Sequence, residues 1–319
     1  MSSETPDNPE VSAADVPDAE VEGAETEASI SPPAPEWIDL PRGEALNDDE
    51  AAEVMKVSPA KIILVVGEQG SGKTSLLCGI YDRYLKGSFA GQFFCGSRTL
   101  RAFEQRSFLQ RADAGRESPA TERTRLPAGQ LALLHLELQS KATNERTALL
   151  MTDLAGEAFE LIRNNPQECE RYPVLPRVDC VVALLDAERL GGDDRFGHLN
   201  STRTTLRSLL QSGKLRTGVP ITLGLSKWDL VHGTAAQDQA REDAAAVLGP
   251  AAGRHTEVAR IAAAPAKTDG ITAGYGLSGL VSGWINADTP AEEIDLASEE
   301  NVPEPDSGFD LFQGEGDAS

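Results

Sequence analysis

Basic residues are almost absent from both ends of this 319-residue chain. Residues 1–57 contain sixteen acidic and two basic residues, and residues 286–319 contain eleven acidic residues and no basic one. Because the whole chain carries −22 and the two ends carry −14 and −11, the residues between them carry only +3. The acidic total therefore describes the ends and says little about the charge of the central part.

Apolar and aromatic side chains are scarce in the N-terminal end. It mixes Pro, Ser, Ala, Glu and Asp with almost no aromatic residues. Such a composition buries too little apolar surface to offset the entropy that a chain loses when it becomes ordered. The C-terminal end is strongly acidic as well. We therefore predict disordered acidic tails over residues 1–57 and 287–319, and a folded domain over residues 58–286.

Long apolar runs and patterned metal ligands are also missing. The longest apolar runs fall far short of the roughly twenty residues that span a bilayer, and no signal peptide heads the chain. The four cysteines lack C-x-x-C spacing, and the four histidines lack the spacing of metal ligands. We expect a cytoplasmic protein with reduced cysteines and no membrane insertion, and we expect no nucleic acid among its partners.

Between the tails, apolar runs alternate with helical patterns, which predicts an α/β fold with a mostly parallel sheet and helices on both faces. The predicted strands are 61–66, 130–139, 147–152, 179–185, 221–225 and 258–262. The predicted helices are 73–84, 97–111, 155–164, 203–212, 235–247 and 277–285. Because ligands of such sheets bind beyond the carboxyl ends of the strands, functional residues are expected at those ends.

A phosphate-binding loop follows the first predicted strand. The segment from Gly67 to Thr74, GEQGSGKT, matches G-x-x-x-x-G-K-[ST] and leads into a predicted helix. Its glycines let backbone N–H groups converge on a phosphate, and Lys73 can bridge the β- and γ-phosphates. The hydroxyl of Thr74 can bind Mg²⁺. The predicted nucleotide-binding residues here are Gly67, Gln69, Gly70, Ser71, Gly72, Lys73, Thr74 and Ser75.

Two further strand ends carry polar residues of the type that nucleotide sites use. The strand that ends at Thr152 runs into Asp153-Leu154-Ala155-Gly156, where the carboxylate can hold Mg²⁺ through water and Gly156 lets an N–H approach the γ-phosphate. The strand 221–225 runs into Ser226-Lys227-Trp228-Asp229. The Asp229 carboxylate can accept from both the N1–H and the 2-amino group of guanine, which adenine cannot offer.

The last predicted strand leads into Pro265-Ala266-Lys267, whose backbone N–H groups can meet the guanine O6. In order and spacing, these elements resemble the regulatory GTPases of the translation-factor and Ras-like class. The resemblance covers residues 58–286. It implies that Thr74 and Asp153 serve Mg²⁺, that Lys73 and Gly156 contact the γ-phosphate, and that Lys227, Asp229, Ala266 and Lys267 bind the base. Two positions depart from the class. Ser226 stands where the class carries Asn or Thr, and Pro265 stands where it carries Ser.

More narrowly, the segments 94–104 (FCGSRTLRAFE) and 122–124 (ERT) resemble the bacterial double-GTPase family, a TRAFAC-type group. That family occurs in multi-gene systems to which conflict or phage-defence roles are attributed. The chain has one P-loop, so a second GTPase unit would come from another protein or a second copy. The resemblance implies an enlarged first switch over residues 86–129, with Thr124, or less favourably Thr121, joining Mg²⁺.

The predicted first switch contains seven arginines between Arg98 and Arg125. Most of them fit a solvated helix and loop. Arg123 and Arg125 flank Thr124, so either could act as an arginine finger in cis.

Together these patterns favour a Mg²⁺-dependent GTP-binding protein that hydrolyses GTP slowly and acts as a switch for a protein partner. Lys73, Thr124, Gly156 and Glu157 are the candidate catalytic residues. Glu157 occupies the position where Ras-like enzymes often carry a water-orienting glutamine. Two alternatives remain: a nucleotide-gated scaffold with negligible hydrolysis, and an ATP-using P-loop enzyme, which Asp229 disfavours.

Overall fold

The computed structural model of the protein describes residues 42–114, 131–266 and 270–287. Within these ranges the chain forms seven strands and eight α-helices. The strands are β1 (Ala60–Val66), β2 (Gln92–Gly96), β3 (Leu133–Ser140), β4 (Arg146–Thr152), β5 (Cys180–Asp186), β6 (Ile221–Ser226) and β7 (Thr256–Arg260). The helices are α1 (Asp48–Val57), α2 (Lys73–Leu85), α3 (Leu100–Ala114), α4 (Gly156–Asn164), α5 (Ala187–Leu190), α6 (Arg195–Gln211), α7 (Ala236–Leu248) and α8 (Leu277–Ile285).

The seven strands form one sheet in the order β2-β3-β4-β1-β5-β6-β7. Neighbouring strands in the part β4-β1-β5-β6-β7 are parallel, and the β2–β3 and β3–β4 pairs are antiparallel. The carboxyl ends of the parallel strands consequently lie along one edge of the sheet, where ligands of α/β folds bind. The predicted mostly parallel sheet is confirmed.

Both faces of the sheet are buried, as the apolar run Ile62–Val66 of β1 requires. Ile62, Leu64 and Val66 face one apolar core, which includes side chains from α1, α4, α6 and α7. Ile63 and Val65 face the other core, which includes side chains from α2, α3 and α8. Among the helices of the described ranges, none has both the length and the hydrophobicity needed to cross a membrane.

Helix α1 corrects the predicted boundary of the N-terminal tail at residue 57. Asn47 caps this helix by accepting from the Glu50 amide, and Glu50 in turn accepts from the Asn47 amide. Val54 is buried in the core, and Leu46 pairs with Leu133 beside β3. The folded part thus begins before residue 58. The acidic first turn concealed a capped amphipathic helix, because negative charge at a helix N-terminus is also stabilising.

The predicted first switch, residues 86–129, is described only in part. It contains the edge strand β2 and the helix α3, which buries Ala102 and Phe103. Strand β2 has only five residues and alternates in burial, so it gave no apolar run in the sequence. Residues 115–130, which include Thr121, Arg123, Thr124 and Arg125, lie outside the described residues.

Candidate nucleotide-binding site

The loop between β1 and α2 has the backbone conformation that the glycine pattern predicts. Gly70 and Gly72 have φ values of +78° and +89°, in a region that L side chains rarely adopt. A Cβ on Gly67 would lie 2.4 Å from Oγ of Ser71, so a larger residue at the start of the loop would displace the Ser71 hydroxyl. The Ser71 hydroxyl is buried and has no hydrogen-bond partner in the described protein, which leaves it free to meet a ligand atom.

Lys73, the first residue of α2, folds back over the loop. Its ammonium group donates to the carbonyl oxygens of Gly67 and Glu68 at 2.7 and 2.8 Å. Burial lowers the pKa of Lys73 to about 8, although the carboxylates of Asp153, Glu157 and Glu68 act in the opposite direction. The buried ammonium is held by two backbone carbonyls, and an anionic phosphate group would stabilise its charge further.

The turn after β4 touches the phosphate-binding loop. Asp153 is buried at the end of β4, and Gly156 begins α4. A Cβ on Gly156 would lie 2.6 Å from the amide nitrogen of Gln69. Glycine at this position therefore brings the two predicted phosphate-contacting segments together. Glu157, the next residue, is exposed.

Asp153 has a partner that the sequence did not reveal. Nε of Arg106, in α3, donates to Oδ2 of Asp153 at 2.7 Å, and both side chains are buried. Arg106 belongs to the group of arginines that we interpreted mostly as solvated. Arg106 lies on the buried face of α3 with Ala102, Phe103 and Ser107, and this helical spacing is the sequence feature that could have indicated its burial.

The predicted base-binding element lies beside the phosphate-binding loop. Ser226 is the last residue of β6. A Cβ added to Gly72 would lie 3.6 Å from the Cβ of Ser226, so the two segments are in contact. Lys227 has a φ of 52°, and its ammonium group contacts Asp186, at the end of β5, at 2.7 Å. Hydrogen bonds and charge interactions with Asp186 and Glu188 raise the pKa of Lys227 against the opposing effect of burial. The long side chain of Lys227 is thereby held at the sheet edge.

Asp229 and Ala266 are brought together. The Ala266 amide donates to Oδ2 of Asp229 at 2.9 Å, and Asp229 itself is buried. This N–H, which we expected to meet a guanine O6, is thus oriented towards the carboxylate that we expected to bind the same base. Lys267, the other predicted residue of this loop, lies outside the described residues.

Glu68 of the phosphate-binding loop is the centre of a polar cluster that no sequence pattern indicates. Glu68 accepts from Arg189 at 2.6 Å, contacts Arg163 at 3.4 Å, and pairs with Nδ1 of His198 at 2.7 Å. Nε2 of His198 accepts from the Asp186 amide, so Nδ1 carries the hydrogen and donates to Glu68. Burial raises the pKa of Glu68, but hydrogen bonds from His198, Ser201 and Arg189 prevail and lower it to about 2. The cluster ties the loop to α4, α5 and α6.

The donors present fit a magnesium ion. Thr74 is a partly buried hydroxyl at the start of α2, and Asp153 is a buried carboxylate directly after β4. Hydroxyl and carboxylate oxygens are ligands that Mg²⁺ accepts, usually together with phosphates and waters. The described ranges contain no cluster of three or more His, Cys, Asp or Glu side chains that could hold a metal alone.

A family model described as Double-GTPase 2 matches residues 61–285, which include the phosphate-binding loop, Asp153, Asp229 and Ala266. No curated protein matches the chain.

Several solved structures are similar to the chain. Translation elongation factor SelB from Methanococcus maripaludis, in complex with the GTP analogue GppNHp, is 15% identical with a TM-score of 0.39. That comparison covers 74% of this chain but only 35% of the factor, so the chain spans about a third of the factor's length. The small GTPase Arl6 BBS3 from Trypanosoma brucei, with the analogue GppNp, is 14% identical with a TM-score of 0.37, covering 72% of this chain and 93% of that one. A GTP-binding protein from Sulfolobus solfataricus, in complex with GDP, is 15% identical with a TM-score of 0.33, covering 67% of this chain and 50% of that one.

Proposed function

Because the chain belongs to the Double-GTPase 2 family, we propose that it is a Mg²⁺-dependent GTP-binding switch with slow intrinsic GTP hydrolysis. One observation carries this proposal: the loop after β1, the turn after β4 and the loops after β6 and β7 converge at one edge of the sheet. Each of these segments holds a side chain or N–H suited to one part of a guanine nucleotide.

The phosphates would occupy the loop that begins at Gly67. The N-terminus of α2 directs its dipole there, and the buried ammonium of Lys73 supplies a positive charge that backbone donors lack. Gly156, packed against Gln69, would place its N–H near the terminal phosphate. Only a triphosphate extends to this position, so Gly156 would distinguish GTP from GDP.

The base would occupy the other end of the same edge. Asp229 offers two carboxylate oxygens to the two neighbouring donors of guanine, and Lys227 would lie across the base plane. Binding would redirect the Ala266 N–H from Asp229 towards the guanine O6. Adenine presents an acceptor where guanine presents the N1–H, so the same carboxylate would repel it.

Thr74 and Asp153 would hold the metal, Thr74 directly and Asp153 through water, with Thr124 joining from the segment outside the described residues. When bound, Mg²⁺ neutralises charge on the phosphate oxygens. The residues of this chain would orient the nucleotide and an in-line water. Glu157 would accept a hydrogen bond from that water but could not donate to the γ-phosphate, which favours slow hydrolysis.

Glu157 also favours a second candidate function, a nucleotide-gated scaffold with negligible turnover. A carboxylate about 5 Å from a phosphate charge costs roughly 3 kcal/mol at an effective dielectric near 20. That cost turns the side chain away from the reacting water and leaves binding intact. The ATP-using alternative has no comparable support, because Asp229 opposes adenine.

The switch would act on a protein partner in the cytoplasm, with a second GTPase unit or a second copy of the chain as a candidate. A conflict or defence role belongs to this proposal through the family resemblance alone. Acceleration of hydrolysis would then come from a partner arginine or from Arg123 or Arg125.

Calorimetric titration with GTP and Mg²⁺ tests the phosphate assignment. Lys73→Ala should abolish measurable binding while leaving the thermal unfolding transition in place. Arg83→Ala, on the same helix, is a matched control that should bind as the wild type does. A folded Lys73→Ala protein with unchanged affinity would contradict the proposed function.

A further inference from the structure

Arg106 holds the carboxylate on which the proposed metal site depends. Its Nε donates to Oδ2 of Asp153 at 2.7 Å, and its Nη1 donates to the Ala102 carbonyl at 3.0 Å. The two charged side chains are 9% and 6% exposed. Water therefore screens the pair weakly, and each charge acts strongly on any third charge nearby.

A well-packed helix delivers this arginine. Phe103 of α3 is fully buried and stacks on Tyr81 of α2, with ring centroids 4.6 Å apart. The Tyr81 hydroxyl donates to Glu104 at 2.9 Å, so two successive residues of α3 contact one residue of the helix that follows the phosphate-binding loop. The placement of Arg106 beside Asp153 therefore depends on the docking of α3. The ion pair in turn contributes to that docking.

A metal ion in the proposed site would interact with the same carboxylate as the guanidinium of Arg106. Arg106 engages Oδ2 of Asp153, and a metal-bound water would use the remaining acceptor capacity of that group. Two cations that share one buried carboxylate repel each other, and a divalent ion doubles the repulsion. Removal of either cation should therefore strengthen the hold of Asp153 on the other.

We propose that Arg106 positions Asp153 and competes with Mg²⁺ for it, so that metal in the nucleotide site weakens the docking of α3. This inference rests on the proposed function, because it requires Mg²⁺ beside Asp153. The coupling is reciprocal: whatever Mg²⁺ does to the docking of α3, the docking of α3 does to the affinity for Mg²⁺. Helix α3 would then report occupancy of the site to a partner.

The dependence of GDP binding on free Mg²⁺ tests the competition. Fluorescently labelled GDP would be titrated with Mg²⁺ in metal-buffered solutions for the wild type and three variants. Arg106→Gln keeps an amide that can donate to Asp153 but removes the charge, so its Mg²⁺ midpoint should fall about tenfold. Arg106→Lys keeps the charge, so its midpoint should stay closer to that of the wild type than the midpoint of Arg106→Gln does. Arg101→Gln removes an exposed ion pair of the same helix with Glu44 and should leave the midpoint unchanged.

The outcomes separate the two proposals. If the wild type binds GDP with a Mg²⁺ midpoint that Arg106→Gln leaves unchanged or raises, the competition is contradicted and the proposed function stands. If the wild type fails to bind GDP, or binds it without regard to Mg²⁺, the proposed function is contradicted and this inference with it.

A second measurement uses the unmodified protein, in case the Arg106 variants do not fold. Hydrogen exchange of α3 amides would be compared at saturating GDP with and without Mg²⁺. We expect several-fold faster exchange over residues 100–109 with Mg²⁺, and no change in β5, which lies on the other side of β1. Equal or slower exchange of α3 with Mg²⁺ would contradict the release of this helix.

Discussion

Gly156 packs so closely against Gln69 that a Cβ at position 156 would lie 2.6 Å from the Gln69 amide nitrogen. The turn that follows β4 is thus in direct contact with the loop that follows β1. In the proposed switch this contact is the means by which the two segments sense one phosphate. Because the two backbones are this close, one methyl group added at position 156 would disturb the contact.

Gly156→Ala should weaken GTP binding at least about tenfold more than GDP binding, because backbone must move apart where the γ-phosphate would lie. Gly283→Ala, within α8, adds the same methyl group where no atom lies within 4 Å, and should change neither affinity. Calorimetry with both nucleotides provides the comparison. Equal losses for GTP and GDP would show that Gly156 supports the loop without sensing the third phosphate.

Nucleotide binding should take up protons in mildly alkaline solution. The pKa of Lys73 is lowered to about 8 in the free protein, and a bound polyphosphate would raise it. Affinity should therefore be fully present below pH 8 and fall as the pH rises above it. At pH 8.5 about three quarters of a proton should be taken up per nucleotide, against less than about 0.2 at pH 7.2.

Calorimetric titrations in two buffers of different ionisation enthalpy measure this uptake. Zero uptake at pH 8.5 would mean that the free ammonium is already protonated there, and that the loop carbonyls of Gly67 and Glu68 stabilise its charge more than burial opposes it.

Glu68→Gln should destabilise the folded protein, because the carboxylate anchors the phosphate-binding loop to Arg163, Arg189 and His198. The pKa of Glu68 is about 2 in the fold against an ordinary 4.5, so its contribution is fully present above pH 4.5 and is lost as the pH falls towards 2. Allowing for partial exposure, we expect a loss of about 2 kcal/mol in the free energy of unfolding at pH 7.

Urea unfolding at pH 7 and pH 4 provides the test, and the difference between variant and wild type should shrink at the lower pH. Glu53→Gln, in an exposed ion pair with Lys56, is the matched control and should cost less than about 0.5 kcal/mol. A Glu68→Gln variant as stable as this control would show that the cluster is dispensable for stability.

Intrinsic hydrolysis should be no faster than the roughly 10⁻⁴ to 10⁻³ s⁻¹ of unassisted Ras-type turnover, because Glu157 cannot donate to the γ-phosphate. Glu157→Gln should hydrolyse GTP at least as fast as the wild type, and Glu157→Ala should lose little. Single-turnover rates of the three proteins provide the data. Fast wild-type hydrolysis that both substitutions abolish would identify Glu157 as the catalytic base instead.

Local patterns predicted the parts of the site that one strand end and its loop define. The phosphate-binding loop, Asp153 with Gly156, and Asp229 each follow an apolar strand, and parallel strands bring their carboxyl ends together. The sequence was therefore sufficient for most of the sheet and for the residues at its edge.

Contacts between distant segments could not be predicted in the same way. The ion pair of Arg106 with Asp153 requires α3 to pack over the end of β4, and no periodicity specifies which helix covers which strand. The Glu68 cluster depends likewise on the placement of α4, α5 and α6. Helix α1 is not evident from composition, because its acidic first turn resembles the tail that precedes it.

Base selectivity tests the central claim most directly, because Asp229 is the group that separates a GTP-binding site from other P-loop sites. Competition titrations would measure the affinities for GTP, ATP and XTP in the wild type and in Asp229→Asn. We expect the wild type to prefer GTP over ATP by at least about 100-fold, and Asp229→Asn to shift its preference towards XTP. A wild type that binds ATP as tightly as GTP would contradict the account.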